Sequence, residues 1–322
     1  MLAPVFIISL PRAGSTLLQR ILMTNESISS VAEPWIMLPY VYSIREDGVL
    51  SEYGHHVCAK GINDFIVNLP DGKNTFYEEL GVFITSLYEK QCKNGEKYFL
   101  DKTPRYYNII PELSEIFPNA KFIFLFRNPM QIVSSMMNTW SSGTLRHLYA
   151  NERDVNYGQF AISEGYEKIK ERSCKLKYEE LVNEPKKAIK EICDYLEIDY
   201  DENMLLGFSE QNTHGGLGDS VGSKKYKNIT SETTEKWKKS FDSPYRKRTA
   251  INYINSLDDR VLEIQGYSKK DLIDEINSIV TTRKNSLNDR LDVLFGKCVR
   301  RFKLNILFGK VASKWAKNRY VA

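Results

Sequence analysis

Residues 5–22 restrict the fold more than any other part of the chain. They contain an apolar run at 5–10, a short polar loop at 11–16 and a helix-type pattern at 17–22. A buried strand that turns directly into a helix is typical of the start of a βαβ unit. The first N–H groups of such a helix have no partners within it, and the positive end of the helix dipole lies at the same place. The order of these segments therefore predicts a phosphate site at the loop.

The loop differs in composition from the common ATP-binding loop. Its predicted anion donors are one guanidinium and the amides and hydroxyls that follow it, from Arg12, Ala13, Gly14, Ser15 and Thr16. The Gly-Lys-[Ser/Thr] sequence of ATP-binding loops is missing. We therefore expect the chain to bind a phosphorylated nucleotide without being an ordinary ATPase.

Strand-like segments recur along the chain. Apolar, β-favouring runs occur at 5–10, 97–100, 121–126 and 174–178, and each is followed by a helical pattern. This alternation predicts a mostly parallel sheet with helices on its faces. A length of 322 residues is sufficient for one such domain with a sizeable core. The predicted fold class is α/β, with a P-loop-like three-layer α/β/α arrangement around a central, mostly parallel sheet.

The C-terminal part carries a different charge from the rest. Segment 281–322 contains eleven Lys or Arg residues against two Asp residues, whereas the rest of the chain is net acidic. Its apolar residues recur at spacings of three and four, which predicts a basic amphipathic helix over 286–319. We therefore predict one domain, 1–280, followed by a basic helical tail, 281–322. Two interpretations of the tail stay open: a solvated helix that docks on its own domain, or a contact with an anionic membrane or a partner protein.

Cysteine content and hydropathy indicate the compartment. The five cysteines are odd in number and lack metal-site spacing, which predicts free thiols in a reducing environment. No run approaches the ~20 apolar residues that span a bilayer, and the N-terminus lacks a signal-peptide pattern. We predict a cytoplasmic protein, with a peripheral contact on the inner membrane face if the tail binds lipid, and no nucleic-acid partner.

A second anion site is predicted after the run at 121–126. Arg127 follows this strand directly, and Ser135 lies eight residues later, about two turns into the next helix. Ligands of open α/β sheets bind beyond the carboxyl ends of strands, where an Arg can donate two hydrogen bonds to a phosphate. Taken alone, the same pair is compatible with a salt-bridged Arg and an ordinary helix-face Ser.

In their order and spacing, these motifs resemble the sulfotransferases that use 3′-phosphoadenosine-5′-phosphosulfate (PAPS). The sequence is similar to the bacterial-type and tyrosylprotein members over roughly residues 4–242. The resemblance implies that the first loop binds the 5′-phosphosulfate, and that Arg127 and Ser135 hold the 3′-phosphate. It also places Tyr178 near the nucleotide and Lys227 in a loop that closes over it.

The resemblance implies the catalytic groups as well. Lys102, in an Asp-Lys-Thr-Pro sequence, resembles the catalytic Lys of tyrosylprotein sulfotransferases, and Glu33 resembles their base. A structural alternative for Glu33 is a helix N-terminal Glu that the dipole stabilises. Cytosolic sulfotransferases use a His after their Lys-Thr, but Pro104 occupies that position here.

The expected reaction is an in-line transfer of the sulfuryl group from PAPS to a hydroxyl group. Arg12 and Lys102 are expected to stabilise the negative charge that grows on the leaving phosphate. Glu33 is expected to accept the proton of the hydroxyl group. The resemblance implies that the product is 3′,5′-ADP. Because Arg12, Lys102 and the amides of the loop already supply donors to the developing charge, we expect that no metal is required.

The acceptor is the part that the sequence leaves open. Segments 36–75 and 141–160 are rich in Tyr, Asn, Glu and His, which suit a carbohydrate and a phenol equally. We expect a hydroxylated small molecule, a glycan or a glycolipid precursor. Two alternatives from other classes are a P-loop nucleotide or sugar kinase, which the missing Gly-Lys pair argues against, and a membrane-associated binding protein without catalysis.

Overall fold

A parallel sheet of five strands organises the part of the chain that the structure describes. The structure is a computed structural model, and it describes residues 2–145, 148, 152–211, 213 and 228–302. The strands are β1 (Ala3–Ser9), β2 (Ile28–Ser30), β3 (Tyr98–Asp101), β4 (Lys121–Phe126) and β5 (Ser173–Lys177). Their order in the sheet is β2-β3-β1-β4-β5, and every neighbouring pair is parallel. The predicted α/β class with a parallel sheet is therefore confirmed.

Helices connect the strands and continue beyond them. Those that follow or separate the strands are α1 (Ser15–Leu22), α2 (Met37–Tyr42), α3 (His55–Val67), α4 (Gly72–Glu89), α5 (Ile110–Ile116), α6 (Pro129–Trp140) and α7 (Gly158–Ile169). The later helices are α8 (Tyr178–Asn183), α9 (Pro185–Leu196), α10 (Asn203–Leu206), α11 (Pro244–Ser256), α12 (Asp259–Gln265), α13 (Lys269–Ser278) and α14 (Leu287–Arg301). Within the described residues, no helix is both long enough and apolar enough to cross a membrane.

The central strand β1 is buried on both faces. Its residues Val5 to Ile8 are fully inaccessible, as expected for a parallel strand with helices on either side. On one face, Val5 and Ile7 pack in a cluster with apolar residues of α1 and α9. On the other face, the ring of Phe6 packs against the rings of three aromatic residues, Tyr106, Phe117 and Phe122. The three predicted layers are therefore present.

The register of the sheet determines which loops meet. Phe6 of β1 is opposite Asp101 at the end of β3, and Ser9 is opposite Leu125 near the end of β4. The carboxyl ends of β1, β3 and β4 therefore lie along one edge. That edge carries the loop before α1 and the residues that directly follow Asp101 and Phe126.

The chain forms two compact units. The first consists of Met1–Arg127 and Phe160–Glu232, and it contains all five strands. The second consists of Asn128–Gln159 and Thr233–Ala322 and is helical in its described part, with α6 and α11 to α14. The boundary that the sequence suggests between 1–280 and 281–322 stays a prediction.

Candidate active site

The loop between β1 and α1 has the backbone of an anion cradle. Gly14 is in the left-handed conformation with φ of 100°, and Arg12 also has a positive φ of 69°. The amide of Leu17 donates to the carbonyl of Gly14 at 3.0 Å, which closes the first turn of the helix. The amides of Gly14, Ser15 and Thr16 precede that bond, at the positive end of α1. The order of strand, loop and helix is therefore the one that the sequence predicts, and phosphate binding at this loop stays a prediction.

Tyr178 and Arg127 contact this loop and hold it in place. A Cβ atom at Gly14 would lie 2.4 Å from Cδ2 of the Tyr178 ring, which itself is 1% exposed. The guanidinium carbon of Arg127 lies 4.0 Å from the centroid of the same ring. Nη1 of Arg127 also donates to the carbonyl of Arg12 at 2.9 Å. Arg127 thus holds the loop directly, through a hydrogen bond, and indirectly, through the Tyr178 ring.

Lys102 places a buried positive charge beside the start of α1. Its Nζ lies 2.9 Å from Oε1 of Glu33 and donates to Oγ1 of Thr16 at 3.4 Å. The Lys102 side chain is 1% exposed and that of Glu33 is 13% exposed. Three residues from three distant parts of the sequence therefore meet at one point. The sequence analysis gave Glu33 the role of a base and Lys102 the role of stabilising negative charge. In the structure these two side chains form one ion pair.

The carboxylate of Glu33 is held at both oxygens. Nε1 of Trp35 donates to Oε2 at 3.1 Å, while Lys102 occupies Oε1. Trp35 has a positive φ of 57°, and its amide donates to Oγ1 of Thr103 at 3.2 Å. Gln19 of α1 fixes the preceding backbone through hydrogen bonds to the carbonyls at 31 and 32. The direction of this carboxylate is therefore set by α1 and by the segment after β3.

Asp101 anchors the backbone that carries Lys102. It is fully buried and accepts hydrogen bonds from the hydroxyls of Tyr88 at 2.7 Å, Tyr106 at 2.9 Å and Thr103 at 3.0 Å. Burial raises the pKa of Asp101 from 3.8 to about 6, and the three hydrogen bonds and the charge of Lys102 oppose that rise. Because this network is buried, it restricts how far Lys102 can move.

Asp101→Asn is expected to change how stability depends on pH. The folded pKa of Asp101 lies above its ordinary value, so the unfolded chain loses this proton first and stability falls as pH rises from about 4 to about 6. The difference between the folded and ordinary pKa values of Asp101 corresponds to about 3 kcal/mol of folding free energy. Urea unfolding across this pH range should show that decline in the wild type and lack it in the variant. Parallel profiles would contradict the raised pKa.

The first unit contains most of the predicted site residues. Arg12, Gly14, Thr16, Glu33, Lys102, Arg127 and Tyr178 all lie there, at the edge formed by the carboxyl ends of the strands, and Ala13 and Ser15 are buried in the same loop. Ser135 is half-buried in α6, which belongs to the second unit. Lys227 lies outside the described residues. The 3′-phosphate role of Arg127 and Ser135, and the place of Lys227 in a loop that closes over the nucleotide, stay predictions.

Sequence reasoning did not predict several supporting contacts. The indole of Trp35 on Glu33, the hydroxyl of Thr16 on Lys102 and the buried Asp101 network are new. The sequence did contain one indication of the Asp101 network. Asp101 ends an apolar strand, and an Asp buried at such a position needs hydrogen-bond partners. The tyrosines that satisfy it are in α4 and in the segment after β3, and no sequence pattern pairs them with Asp101.

The residues of this edge fit a phosphate ester. The amides at the start of α1 and the cations of Arg12 and Lys102 are donors of the kind that hold a phosphate, and they follow the carboxyl ends of β1 and β3. Oγ of Ser9, at the end of β1, is buried and has no hydrogen-bond partner within the described part of the chain. In the same part, no group of three His, Cys, Asp or Glu side chains is arranged to hold a metal ion.

Comparison with known proteins gives consistent matches. The model of the Sulfotransferase family matches residues 4–202. Nodulation protein NoeE of Sinorhizobium fredii is 31% identical over 140 residues, which cover 42% of this chain and 31% of that protein. Protein-tyrosine sulfotransferase A of Caenorhabditis elegans is 24% identical over 206 residues, which cover 62% of this chain and 51% of that protein. These alignments span at most about half of the two relatives.

Solved structures give the same fold. The sulfotransferase domain from the curacin biosynthetic pathway superposes with a TM-score of 0.52 and 21% identity, over 83% of this chain and 97% of that domain. The sulfotransferase domain of the olefin synthase of Synechococcus PCC 7002 gives 0.50 and 24%, over 73% of this chain and 87% of that domain. At these identities, the likeness concerns the arrangement of the sheet and helices.

Proposed function

The chain belongs to the sulfotransferase family, and from this premise we propose that it transfers a sulfuryl group from PAPS to a hydroxyl acceptor. The observation that carries the proposal is the convergence of Lys102 on both Glu33 and Thr16 beside the start of α1. A cation and a carboxylate in contact at an anion cradle match the two demands of this reaction. One group must stabilise charge on the leaving phosphate, and the other must accept a proton.

Lys102 and Arg12 act on the leaving side in this proposal. PAPS would supply the sulfuryl group, joined to its 5′-phosphate by a bridging oxygen. Negative charge grows on that oxygen as the sulfur–oxygen bond breaks, so fixed cations and amides that face it lower the barrier. Lys102 needs little reorganisation to do this, because it is already buried beside Thr16.

Glu33 acts on the acceptor side. As the acceptor oxygen bonds to sulfur, its proton passes to the carboxylate, and the electron pair of the broken bond stays on the 5′-phosphate. Trp35 would continue to hold Oε2 during this step, so Oε1 would receive the proton after a small shift of the Lys102 Nζ from Oε1 toward the phosphate. The ion pair between Lys102 and Glu33 thus serves as the resting state of both groups.

The acceptor and the location of the protein are proposed at a coarser level. We propose a hydroxylated small molecule or glycan as the acceptor and the cytoplasm as the compartment. A screen of carbohydrates, phenols and tyrosine peptides with sulfur-labelled PAPS measures the first directly. Labelling of a tyrosine peptide alone would contradict the small-molecule or glycan assignment and would leave sulfuryl transfer intact.

Binding of 3′,5′-ADP tests the donor half of the proposal. At a concentration of 100 times its dissociation constant, a ligand stabilises the folded state by about 2.7 kcal/mol, so 3′,5′-ADP should raise Tm clearly while Mg·ATP should not. Arg127→Ala and Ser135→Ala are each expected to weaken this effect, because they remove predicted 3′-phosphate contacts. Lys73→Ala, on the exposed surface of α4, serves as the control. Stabilisation by Mg·ATP but not by 3′,5′-ADP would favour a kinase.

A further inference from the structure

Helix α14 packs against the rest of the second unit through its polar side. Asp289, Asp292 and Val293 are buried, at spacings of three and four that place them on one face. The guanidinium of Arg246 donates to both oxygens of Asp289, at 2.9 and 2.7 Å, and to the carbonyl of Ser240 at 3.0 Å. A buried two-bond ion pair of this kind sets the orientation of the helix about its axis.

The apolar side of α14 consequently faces outward. Its large apolar side chains are strongly exposed to solvent. The exposed fractions are 71% for Leu287, 53% for Leu291, 59% for Leu294 and 48% for Phe295, and 66% for Phe302 just beyond the helix. Successive side chains of an α-helix are rotated by about 100° around its axis. By this geometry, the exposed apolar side chains point, on average, away from the side of the helix that carries Asp289 and Val293. A helix that only covers its own domain has the reverse arrangement, with its apolar side buried.

The exposed charge on the described side chains of α14 is entirely positive. Arg290, Lys297 and Arg301 are exposed and lie along one border of the outward apolar face, whereas both acidic residues of the helix are buried. A cavity of about 660 Å³ at the N-terminal end of the helix adds to this charge, since it is lined by Lys236, Lys239, Arg246, Arg283 and Lys284 along with Asp289 and Asp292. The region around α14 therefore attracts anions.

We propose that the outward face of α14, defined here as Leu287, Leu291, Leu294, Phe295 and Phe302 with its flanking cations, binds a membrane surface that contains anionic lipids. An apolar stripe bordered by cations matches an acyl–headgroup boundary with negative charge. A second copy of the chain fits less well, because two copies of this face would bring like charges together. The remaining sequence, 303–322, adds five Lys or Arg residues and no Asp or Glu.

Vesicle binding by the full-length protein tests this proposal. The wild type should co-sediment with vesicles of phosphatidylcholine and phosphatidylserine, and at least about tenfold less with phosphatidylcholine alone. Leu291→Gln/Leu294→Gln/Phe295→Gln should reduce binding to the anionic vesicles by about tenfold or more. Arg290→Gln/Lys297→Gln should reduce both the binding and its dependence on salt.

The matched control is Val82→Gln/Phe83→Gln, which replaces exposed apolar residues of α4 in the other unit. It should bind vesicles like the wild type. Equal binding of the wild type to both kinds of vesicle, or unchanged binding of the triple variant, would overturn the proposal. A concentration-dependent dimer that the triple variant abolishes, without vesicle binding by the wild type, would overturn it in favour of a second copy. Stabilisation by 3′,5′-ADP is measured in parallel for every variant. Because it reports on the donor site, a variant that loses vesicle binding and keeps this stabilisation has lost only the function proposed for α14.

Discussion

Lys102→Met is expected to lower turnover by roughly 10²–10³, the usual loss when a preorganised donor to a developing anion is removed. It is also expected to destabilise the fold, because Glu33 would remain in a largely buried position without its cation. Breaking a buried pair by removing one partner costs about 3–5 kcal/mol, which the partial exposure of Glu33 reduces. Steady-state kinetics with sulfur-labelled PAPS and urea unfolding measure the two effects.

Glu33→Gln and the double variant separate catalysis from stability. The amide that replaces the carboxylate in Glu33→Gln cannot accept the proton of the acceptor, so turnover should fall by about 10²–10⁴. In Lys102→Met/Glu33→Gln neither charge is left unpaired, so stability should recover relative to Lys102→Met while turnover stays low. Lys73→Met is the matched control, because Lys73 pairs with Glu115 and both side chains are 53% exposed. Full turnover in Glu33→Gln would remove Glu33 from the mechanism.

The fold was largely predictable from the sequence because parallel strands leave a strong local pattern. Segment 121–126 is almost entirely apolar and becomes β4, and the run at 5–10 becomes most of β1. Strand order is not local information, however, and nothing in the sequence placed β1 between β3 and β4. The strand–loop–helix geometry around Gly14 was predictable for the same reason as the strands, since Gly14 and the start of α1 are adjacent in the chain.

The contacts between distant residues were not predictable in this way. Lys102 and Glu33 were each assigned a role, but their ion pair depends on β2 and β3 being neighbours in the sheet. The orientation of helix α14 was not predictable either, for the same reason. Its pattern predicts an apolar face, and the buried contact of Asp289 with Arg246, 43 residues earlier, decides that the polar face is the one that packs.

Gly14→Ala is expected to be among the most damaging single substitutions in the first unit. Ala at φ of 100° is strained by about 1–2 kcal/mol, and its Cβ would lie 2.4 Å from the Tyr178 ring, where overpacking costs a further ~1–3 kcal/mol. Relief of the clash requires the ring to move, and that ring also packs against the guanidinium of Arg127, whose carbon lies 4.0 Å from the ring centroid. We therefore expect both a lower Tm and loss of the stabilisation by 3′,5′-ADP.

Gly95→Ala is the control that separates these two costs. Gly95 has a similar φ of 82°, but a Cβ there would meet nothing within 4 Å. It should therefore lose only the ~1–2 kcal/mol of backbone strain and keep the response to 3′,5′-ADP. Gly14→Ala/Tyr178→Leu removes the ring and should regain part of the stability lost in Gly14→Ala. If Gly14→Ala and Gly95→Ala lose the same stability and both respond to 3′,5′-ADP, the close approach of Tyr178 to the loop has no role in forming the cradle.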